Sequence, residues 1–296
     1  MGLDINAVQF LIAARRSGID FGEVLTLGRQ DLNVYPAKMV EVLRRHGFPA
    51  GAFEADAKVL FGEPVFRALG ATRVSAMDFS DFEGAEFIHD LNQPIGPELN
   101  ERFDLVYDGG TLEHVFNFPV ALKNCMEMVR LGGRLMLHQC ANNWCGHGFY
   151  QFSPELFFRA LSPEHGFEVE RLIVHRVGPY GRWFEVRDPE KIRSRVEAIT
   201  WYPLQMLVQA RRVRVMPIFA RMPQQSDYTP RWTENQGGRA ATVTNPRLNP
   251  YAPRRPWLAR TWPGLARLLH VLRIGFLTYK NLSLWNRKCF RPVQKP

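Results

Sequence analysis

The stretch 103–114 constrains the fold of this chain more than any other. Its apolar run Phe-Asp-Leu-Val-Tyr-Asp predicts a buried strand that ends at Asp108, and two glycines follow the strand. A helix is predicted from about Leu112, and the run Leu-Gly-Gly-Arg-Leu-Met-Leu-His at 131–138 predicts the glycine end of that helix and a further buried strand. Ligands of open α/β sheets bind beyond the carboxyl ends of the strands, so Asp108 and His138 are predicted to face a binding crevice.

The same alternation of strands and helices continues on both sides of this stretch. Pro36 stands at a predicted first helical position and Gly47 just past the end of that helix, which is the usual asymmetry of helix termini. Strands that alternate with helices favour a doubly wound, mostly parallel α/β sheet with helices on both faces. The seven predicted strands cover residues 23–28, 72–78, 85–90, 103–108, 134–140, 167–176 and 204–213.

Composition and cysteine content predict a folded, cytoplasmic protein. Hydrophobic residues make up 46% of the 296 residues, which is enough to bury a full core. No run of 18 uncharged apolar residues occurs, and the first residues lack the basic and apolar regions of a signal peptide, so neither a spanning helix nor secretion is expected. Four unevenly spread cysteines are too few for a disulfide framework.

The charge divides the chain at about residue 213. Residues 214–296 hold 15 Lys and Arg but only two acids, Asp227 and Glu234, for a net charge of +13, whereas the preceding residues carry a net charge of −4. Eight prolines also fall between 217 and 263, a composition typical of wrapping extensions and of linkers. The sequence therefore predicts an α/β domain at 1–213 and a basic C-terminal extension at 214–296.

The end of the extension carries an amphipathic helical pattern. Leu265, Leu268, Leu272 and Phe276 recur at helical spacing within 263–285, and tryptophans flank the run. A basic helix of this kind fits the surface of an anionic membrane, which would make the protein peripheral to that membrane. The alternative is an extra helix packed on the α/β domain. Nucleic acid is not an expected partner, because no recognisable nucleic-acid motif accompanies the charge.

The pattern at 103–138 resembles the class I S-adenosylmethionine-dependent methyltransferases. In that family the fourth strand ends in an acid-rich turn followed by an LEHV helix, here 112–115, and the fifth strand follows a glycine pair, here 132–133. The resemblance covers about residues 22–213 of this sequence. It implies a Rossmann-like fold, S-adenosyl-L-methionine as the cofactor, and methyl transfer to an unidentified acceptor: a small molecule, a glycan or a lipid-linked compound.

The resemblance assigns the first cofactor contacts to the loop after the first strand. Gly28, Arg29 and Gln30 occupy the position of the family's glycine-rich loop, whose open backbone approaches the cofactor. This loop has one glycine where the family has two or three, and Thr26 stands where an acid is usual. The resemblance implies that Arg29 pairs with the cofactor carboxylate. The alternative is an ordinary turn between a strand and a helix.

The other implied cofactor contacts lie at the ends of the next three strands. Asp78 matches the acid that accepts hydrogen bonds from both ribose hydroxyls, a task that suits a carboxylate. Asp90 matches the contact to the adenine amino group, and Leu91 supplies a backbone N–H and an apolar edge to the ring. Asp108 and His114 lie nearest the reacting methyl group, and Gly109 is a further expected cofactor contact. The alternative for Asp78 and Asp90 is a cap of a turn.

Three side chains are the candidates for catalysis. Methyl transfer needs the acceptor held in line with the methyl group, and a base is needed only where the acceptor is a hydroxyl or a protonated amine. His114 and His147 titrate near neutrality and are the candidate bases, with scaffolding as the alternative for His114. Tyr150 lies in the polar, glycine-containing segment 138–152, which is predicted to form a mobile lip over the crevice. Glu113 is predicted to cap or orient the helix.

The same segment offers soft ligands, but without the spacing of a zinc site. His138, Cys140, Cys145 and His147 suit tetrahedral zinc by type. Zinc sites customarily pair cysteines two to four residues apart, which these cysteines do not match. We therefore predict no metal site.

Three classes of function stay open from the sequence. The first is an S-adenosylmethionine-dependent methyltransferase. The second is a cofactor-binding or non-catalytic protein of the same fold, which the single glycine of the loop suggests. The third is a peripheral membrane or scaffold protein whose basic extension is the functional part. The acids Asp78 and Asp90 favour the first class over the second.

Overall fold

Nine strands form the central sheet in the computed structural model, which describes residues 2–55, 59–227 and 260–296. The inner strands form because their residues are apolar on both sides: all six residues of the fourth strand are buried, as expected in a sheet covered on both faces. The strands are β1 (Glu23–Leu27), β2 (Arg73–Asp78), β3 (Phe87–Ile88), β4 (Phe103–Asp108), β5 (Val129–Asn142), β6 (Phe167–Arg176), β7 (Trp183–Val186), β8 (Leu204–Arg212) and β9 (Phe290–Val293).

The order of the strands across the sheet is β3-β2-β1-β4-β5-β8-β6-β7-β9. The first five strands in this order pair in parallel, whereas β8 runs antiparallel to β5 and β6, and β7 runs antiparallel to β6 and β9. Seven of the nine described strands therefore point the same way, and the prediction of a mostly parallel sheet is confirmed. The predicted number of seven strands is wrong, because the short strands β7 and β9 extend one edge.

Helices cover both faces of the sheet, as the alternation predicts. On one face α1 to α4 pack against Val24, Val74 and Leu105, and on the other face α5 and α6 pack against Leu25 and Val106. The helices are α1 (Ile5–Arg16), α2 (Pro36–Arg45), α3 (Gly51–Ala55), α4 (Glu63–Ala68), α5 (Phe118–Met128), α6 (Pro154–Ala160), α7 (Pro189–Ile192) and α8 (Pro263–Asn281).

The segment after β4 differs from its prediction. Residues 112–114 form one 3-10 turn, and α5 begins only at Phe118 with Pro119 in its first turn. A helix from 112 would carry Pro119 in its interior, where the ring clashes with the preceding turn and a hydrogen bond is lost. β5 begins directly after α5 at Val129, so the glycine pair 132–133 lies inside the strand and does not end the helix.

His138 does not face the crevice. Side chains alternate along a strand, and His138 shares the face of Met136, which packs with α1 to α4. The His138 ring is fully buried, and its centroid lies 5.6 Å from that of His175. Burial lowers the pKa of both histidines, and burial together with His138 lowers the pKa of His175 to about 3.

The last residues of the chain are part of the sheet. β9 pairs with β7, and Leu284 and Phe290 are buried in the core. Lys295 Nζ also donates a hydrogen bond to Asn6 Oδ1 at 2.7 Å. The end of the basic extension thus contributes a strand to the sheet, while the division of the chain at residue 213 stays a prediction. Much of the predicted proline-rich stretch, 228–259, lies outside the described residues.

The predicted amphipathic helix is present as α8. It ends at Asn281, before the predicted limit at Trp285. Its described apolar side chains are not packed on the α/β domain, since Leu268 is 56%, Leu272 59% and Phe276 64% exposed. Within the described residues, no helix is both long and apolar enough to cross a bilayer.

Candidate functional site

The order of the strands reverses between β1 and β4. Doubly wound sheets bind ligands beyond the carboxyl ends of the strands at this switch point. Three segments surround it here: the loop 28–30 after β1, the turn 109–111 after β4, and Asp78 at the end of β2. The hydroxyl of Thr111 donates to the Leu27 carbonyl at 2.7 Å and joins the first two segments.

Gly28 forms the floor of a cradle between these segments. It adopts φ +70°, and its N–H donates to the Met77 carbonyl at 2.7 Å. A Cβ at this position would lie 3.3 Å from the Thr111 hydroxyl and 3.8 Å from both Asp78 Oδ2 and Gln30 Nε2. Three polar groups thus converge on an α-carbon without a side chain. A polar ligand can approach the backbone there, and the positive φ favours glycine at this position.

The other two residues of the predicted loop are bonded within the protein. Arg29 Nε donates to Glu63 Oε1 at 2.6 Å, and Arg29 Nη1 donates to the Glu83 carbonyl at 2.9 Å. The predicted ion pair between Arg29 and a cofactor carboxylate stays a prediction, and in it the cofactor would share the guanidinium with Glu63. Gln30 is buried, and its amide lies so close to the α-carbon of Gly109 that a Cβ there would clash with it.

Asp78 and Asp90 both lie at the edge of the crevice and stay partly accessible. Asp78 Oδ1 accepts from the N–H of the exposed Phe79 at 2.6 Å, whereas Oδ2 accepts no hydrogen bond from any described residue. Asp90 Oδ1 accepts from the backbone and side-chain amides of Asn92, which hold the pKa of Asp90 below its usual value. Leu91 is buried, so its side chain belongs to the core.

Asp108 lies beneath the crevice, not in it. Its side chain is fully buried, and burial raises the pKa of the carboxyl group, although hydrogen bonds from four donors oppose that shift. The four donors fix the turn after β4. The prediction that Asp108 faces the crevice is therefore wrong, and any effect on a ligand passes through the turn that it caps. The donors are the backbone amides of Gly110, Thr111 and Leu112 and the side-chain amide of Gln139.

Glu113, His114 and His147 meet on the far side of this turn. Glu113 is fully buried, and neither of its carboxylate oxygens has a hydrogen-bond partner among the described residues. His147 Nε2 lies 3.5 Å from Glu113 Oε1, and the two histidine rings have centroids 5.0 Å apart. Glu113 therefore does not cap a helix, and of its two predicted roles, capping or orienting the helix, the first is wrong. The two predicted bases, in contrast, are brought together.

The electrostatics of this group follow from burial. Burial, with a smaller contribution from Asp108, raises the pKa of Glu113 to about 8. Burial also lowers the pKa of His114 and His147. Both imidazoles are thus neutral near pH 7, the form in which a histidine accepts a proton or binds a metal ion.

The segment 142–150 is anchored over the same turn. The N–H of Phe149 donates to the Glu113 carbonyl at 2.7 Å, and the Tyr150 hydroxyl donates to the Phe116 carbonyl at 2.7 Å. The mobility predicted for this lip stays a prediction. Two further side chains tie the segment to backbone carbonyls at 200–204: Asn143 and Trp144.

Three residues in or beneath the crevice were not predicted from the sequence. Thr111 follows a glycine pair at the end of a strand, where a hydroxyl often caps a turn. Its position in the sequence could therefore have predicted a role in this turn. Gln139 and Phe79 carry no such signal: one is a strand residue in β5 and the other an ordinary aromatic after an acid. Their roles depend on contacts between segments distant in the sequence.

Comparison with known proteins finds likeness in solved structures only. No family model matches the sequence, and no curated protein matches it. A putative methyltransferase from Bacillus halodurans is 18% identical and covers 69% of this chain and 99% of its own, with a TM-score of 0.35.

Two further solved structures come from other bacteria. The 1,6-didemethyltoxoflavin-N1-methyltransferase of Burkholderia thailandensis, with bound 1,6-didemethyltoxoflavin and S-adenosylhomocysteine, is 15% identical over 71% of this chain and 80% of its own, with a TM-score of 0.38. A mutein of the branched-chain polyamine synthase of Thermus thermophilus is 13% identical over 72% and 58%, also with a TM-score of 0.38. All three TM-scores lie below 0.5.

Proposed function

We propose that the protein is an S-adenosyl-L-methionine-dependent methyltransferase that acts on a small-molecule, glycan or lipid-linked acceptor. One observation carries the proposal: the Gly28 cradle lies at the switch point of a doubly wound sheet, with Asp78 Oδ2 aimed at it and not bonded to any described residue. A carboxylate oxygen beside open backbone suits the vicinal hydroxyls of a ribose. The resemblance of the motif at 103–115 to the methyltransferases then specifies the nucleoside.

The residues of the crevice fit the nucleoside end of this cofactor. Asp78 accepts hydrogen bonds from the ribose hydroxyls, and the ring of Phe79, which is 73% exposed beside it, offers an apolar face to adenine. The turn formed by Asp90 and Leu91 is assigned to the edge of that ring. Gly109 is assigned to the other end, where the bound cofactor supplies a methyl group on a sulfonium. Arg29 is assigned to the cofactor carboxylate, which would share the guanidinium with Glu63.

The acceptor is assigned to the neighbourhood of His114, His147 and Tyr150. The neutral imidazoles accept the proton of a hydroxyl or amine acceptor, and the phenol positions it. Phe116 and Phe149 form an exposed edge-to-face pair with ring centroids 5.6 Å apart at this rim. Two aromatic rings at the rim exclude water, which matters because the reaction depends chiefly on holding nucleophile and methyl group in line.

Calorimetric titration of the full chain tests the proposal. S-adenosyl-L-methionine and S-adenosylhomocysteine are expected to bind saturably, and Asp78→Ala is expected to weaken binding by about 100-fold or more, because each charge-assisted hydrogen bond contributes about 1.5–3 kcal/mol. The matched control is Asp81→Ala, which removes an exposed acid from the following turn and should bind as the wild type does.

Two results of this titration would count against the proposal. Wild-type protein that gives neither a titration signal nor a thermal shift with excess cofactor would overturn it. Saturable cofactor binding without methyl transfer to any tested acceptor would favour the alternative, a cofactor-binding protein of the same fold.

We also propose that α8 attaches the protein to an anionic membrane surface, at the cytoplasmic face if the predicted location holds. Its described apolar side chains face solvent, and Trp262 just before it is 65% exposed. No acid occurs after Glu234, whereas Arg267, Arg273 and Lys280 lie on the helix. Apolar insertion and attraction of bases to anionic lipid reinforce one another, at about 1 kcal/mol for each base near the surface.

Sedimentation with vesicles that contain phosphatidylserine tests this attachment. We expect the full chain to co-sediment at low salt and to be released by high salt, and the double variant Leu268→Glu, Leu272→Glu to stay in solution. The matched control is Leu60→Glu, Leu131→Glu, which places two acids at exposed leucines elsewhere and should still bind. Full-length protein that ignores the vesicles at low salt would contradict the proposal.

A further inference from the structure

Glu113 is the most unusual side chain of the protein. It is fully buried, and both of its oxygens lack a hydrogen-bond partner among the described residues. Ionising a buried carboxyl group is costly unless it is paired, hydrogen-bonded or bound to a metal ion. No lysine or arginine among the described residues forms an ion pair with it. The side chains that do lie beside it are two histidines.

The distances favour metal ligation over a hydrogen bond. One ligand atom from each of Glu113, His114 and His147 lies within 4.8 Å of the others. His147 Nε2 and Glu113 Oε1 are 3.5 Å apart, longer than the usual hydrogen bond of about 2.7–3.2 Å. Two ligands bound tetrahedrally at about 2.1 Å from one zinc ion lie about 3.4 Å apart.

The backbone holds the three residues in this arrangement. Glu113 and His114 are consecutive in the 3-10 turn, and His147 is carried to them by the segment that Phe149 ties to the Glu113 carbonyl at 2.7 Å. A Cβ at Gly148 would lie 2.6 Å from the carbonyl oxygen of Glu113, and the backbone at Gly148 has φ +72°. Glycine at this position therefore allows the segment 142–150 to approach the turn at 112–114.

We propose that Glu113, His114 and His147 form a binding site for a divalent transition-metal ion, with Zn²⁺ as the best match. Two imidazoles and one carboxylate with a fourth position open are a ligand set of catalytic zinc sites. The open position points outward, since His114 is exposed and the His147 side chain is 33% exposed. This site replaces the sequence-based set of His138, Cys140, Cys145 and His147, of which His138 lies on the opposite face of the sheet.

The site also narrows the acceptor, an extension that rests on the proposed function. A zinc ion takes oxygen donors at an open position and lowers the pKa of a bound hydroxyl. With the ion bound, His114 and His147 would act as its ligands and not as bases, and the ion would replace them as the group that activates the acceptor. Since the ion would lie on the acceptor side of the turn after β4, the acceptors that fit are those with a hydroxyl or carboxylate able to bind it. Metal binding itself needs neither the cofactor nor the acceptor.

Titration of the chelator-stripped full chain with Zn²⁺, without any cofactor, tests the site. We expect one equivalent to bind, and Co²⁺ in its place to give the visible absorption of a tetrahedral ion. Glu113→Gln, His114→Ala and His147→Ala are each expected to weaken binding by about 100-fold or more, given that loss of an outer partner alone costs 10- to 100-fold. Gly148→Ala should weaken it without removing any ligand.

Two matched controls separate this site from adventitious binding. Cys145→Ser removes the exposed cysteine nearest in sequence, and His89→Ala removes a histidine outside the cluster, so both should keep one equivalent at wild-type affinity. Glu113→Gln keeps the shape of the side chain, and its circular dichroism should match the wild type. The proposal is overturned if wild-type protein binds no equivalent, or if Glu113→Gln binds as tightly as wild type. Either result would leave the test of cofactor binding unaffected, because the zinc titration contains no cofactor.

Discussion

Replacing Asp108 with alanine is expected to lower the free energy of unfolding by about 3–5 kcal/mol. Each buried donor left without a partner costs about 1–3 kcal/mol, and part of this cost is offset because the variant no longer buries a carboxyl group. Four donors lose their acceptor in this variant: the amides of Gly110, Thr111 and Leu112 and the side chain of Gln139. Denaturation by guanidinium, followed by circular dichroism, measures the loss.

The control for this prediction is the other acid at a strand end. The Asp78 side chain is partly exposed, and its carboxylate accepts a single hydrogen bond among the described residues, from its neighbour Phe79. Asp78→Ala should therefore change the unfolding free energy by less than about 1 kcal/mol, as is usual for surface substitutions. If Asp108→Ala and Asp78→Ala unfold at the same denaturant concentration, the carboxylate of Asp108 does not fix the turn.

Acid is expected to destabilise the protein well above the pKa of its carboxylates, because of His175. Its folded pKa is about 3 and its unfolded value about 6.5, so the unfolded chain takes up the proton first. The stability is complete above pH 6.5 and is lost as the pH falls toward 3, at about 1.4 kcal/mol for each pH unit. Between pH 7.5 and 4.5 this one ring accounts for a loss of about 3 kcal/mol.

The groups around His175 do not cancel this effect. Asp4 favours the charged ring, whereas His138 and Lys295 disfavour it, and the Arg176 carbonyl accepts from Nδ1 at 3.0 Å. His138 is buried as well and adds to the loss in the same direction.

Denaturation at pH 7.5 and at pH 4.5 measures the acid effect directly. His175→Gln should reduce the difference between the two pH values by about 3 kcal/mol, while the control His89→Gln, at a partly exposed position, should leave it as in the wild type. A wild-type protein equally stable at both pH values would show that the buried ring is not held neutral.

The inner strands could be predicted from the sequence because burial on both faces leaves a readable pattern. The apolar run of β4 and the glycine after β1 fix both strands without knowledge of their partners. β7 and β9 are four residues each and pair across more than 100 residues of chain. Short edge strands form because of that pairing, so no local sequence pattern predicts them.

The site was predictable only as a set of candidates. Asp78 and Asp108 both end a parallel strand, and the sequence does not tell that one faces the crevice while the other is buried under four donors. Glu113 and His147 are 34 positions apart, and only the fold of the segment 142–150 brings them to 3.5 Å. These roles depend on burial and on contacts between residues distant in the sequence. Neither property produces a periodic pattern in the amino-acid sequence.

The position of β9 has a consequence for association between copies of the chain. An edge strand presents unpaired N–H and C=O groups on which another strand can assemble. At one edge of this sheet β3 is only two residues long, and at the other β9 contains Pro292, which has no N–H to donate. A chain shortened before residue 290 would uncover β7, whose Trp183 and Phe184 would then border an open ladder. Strand β9 thus protects the edge of the sheet against pairing with a strand of another molecule.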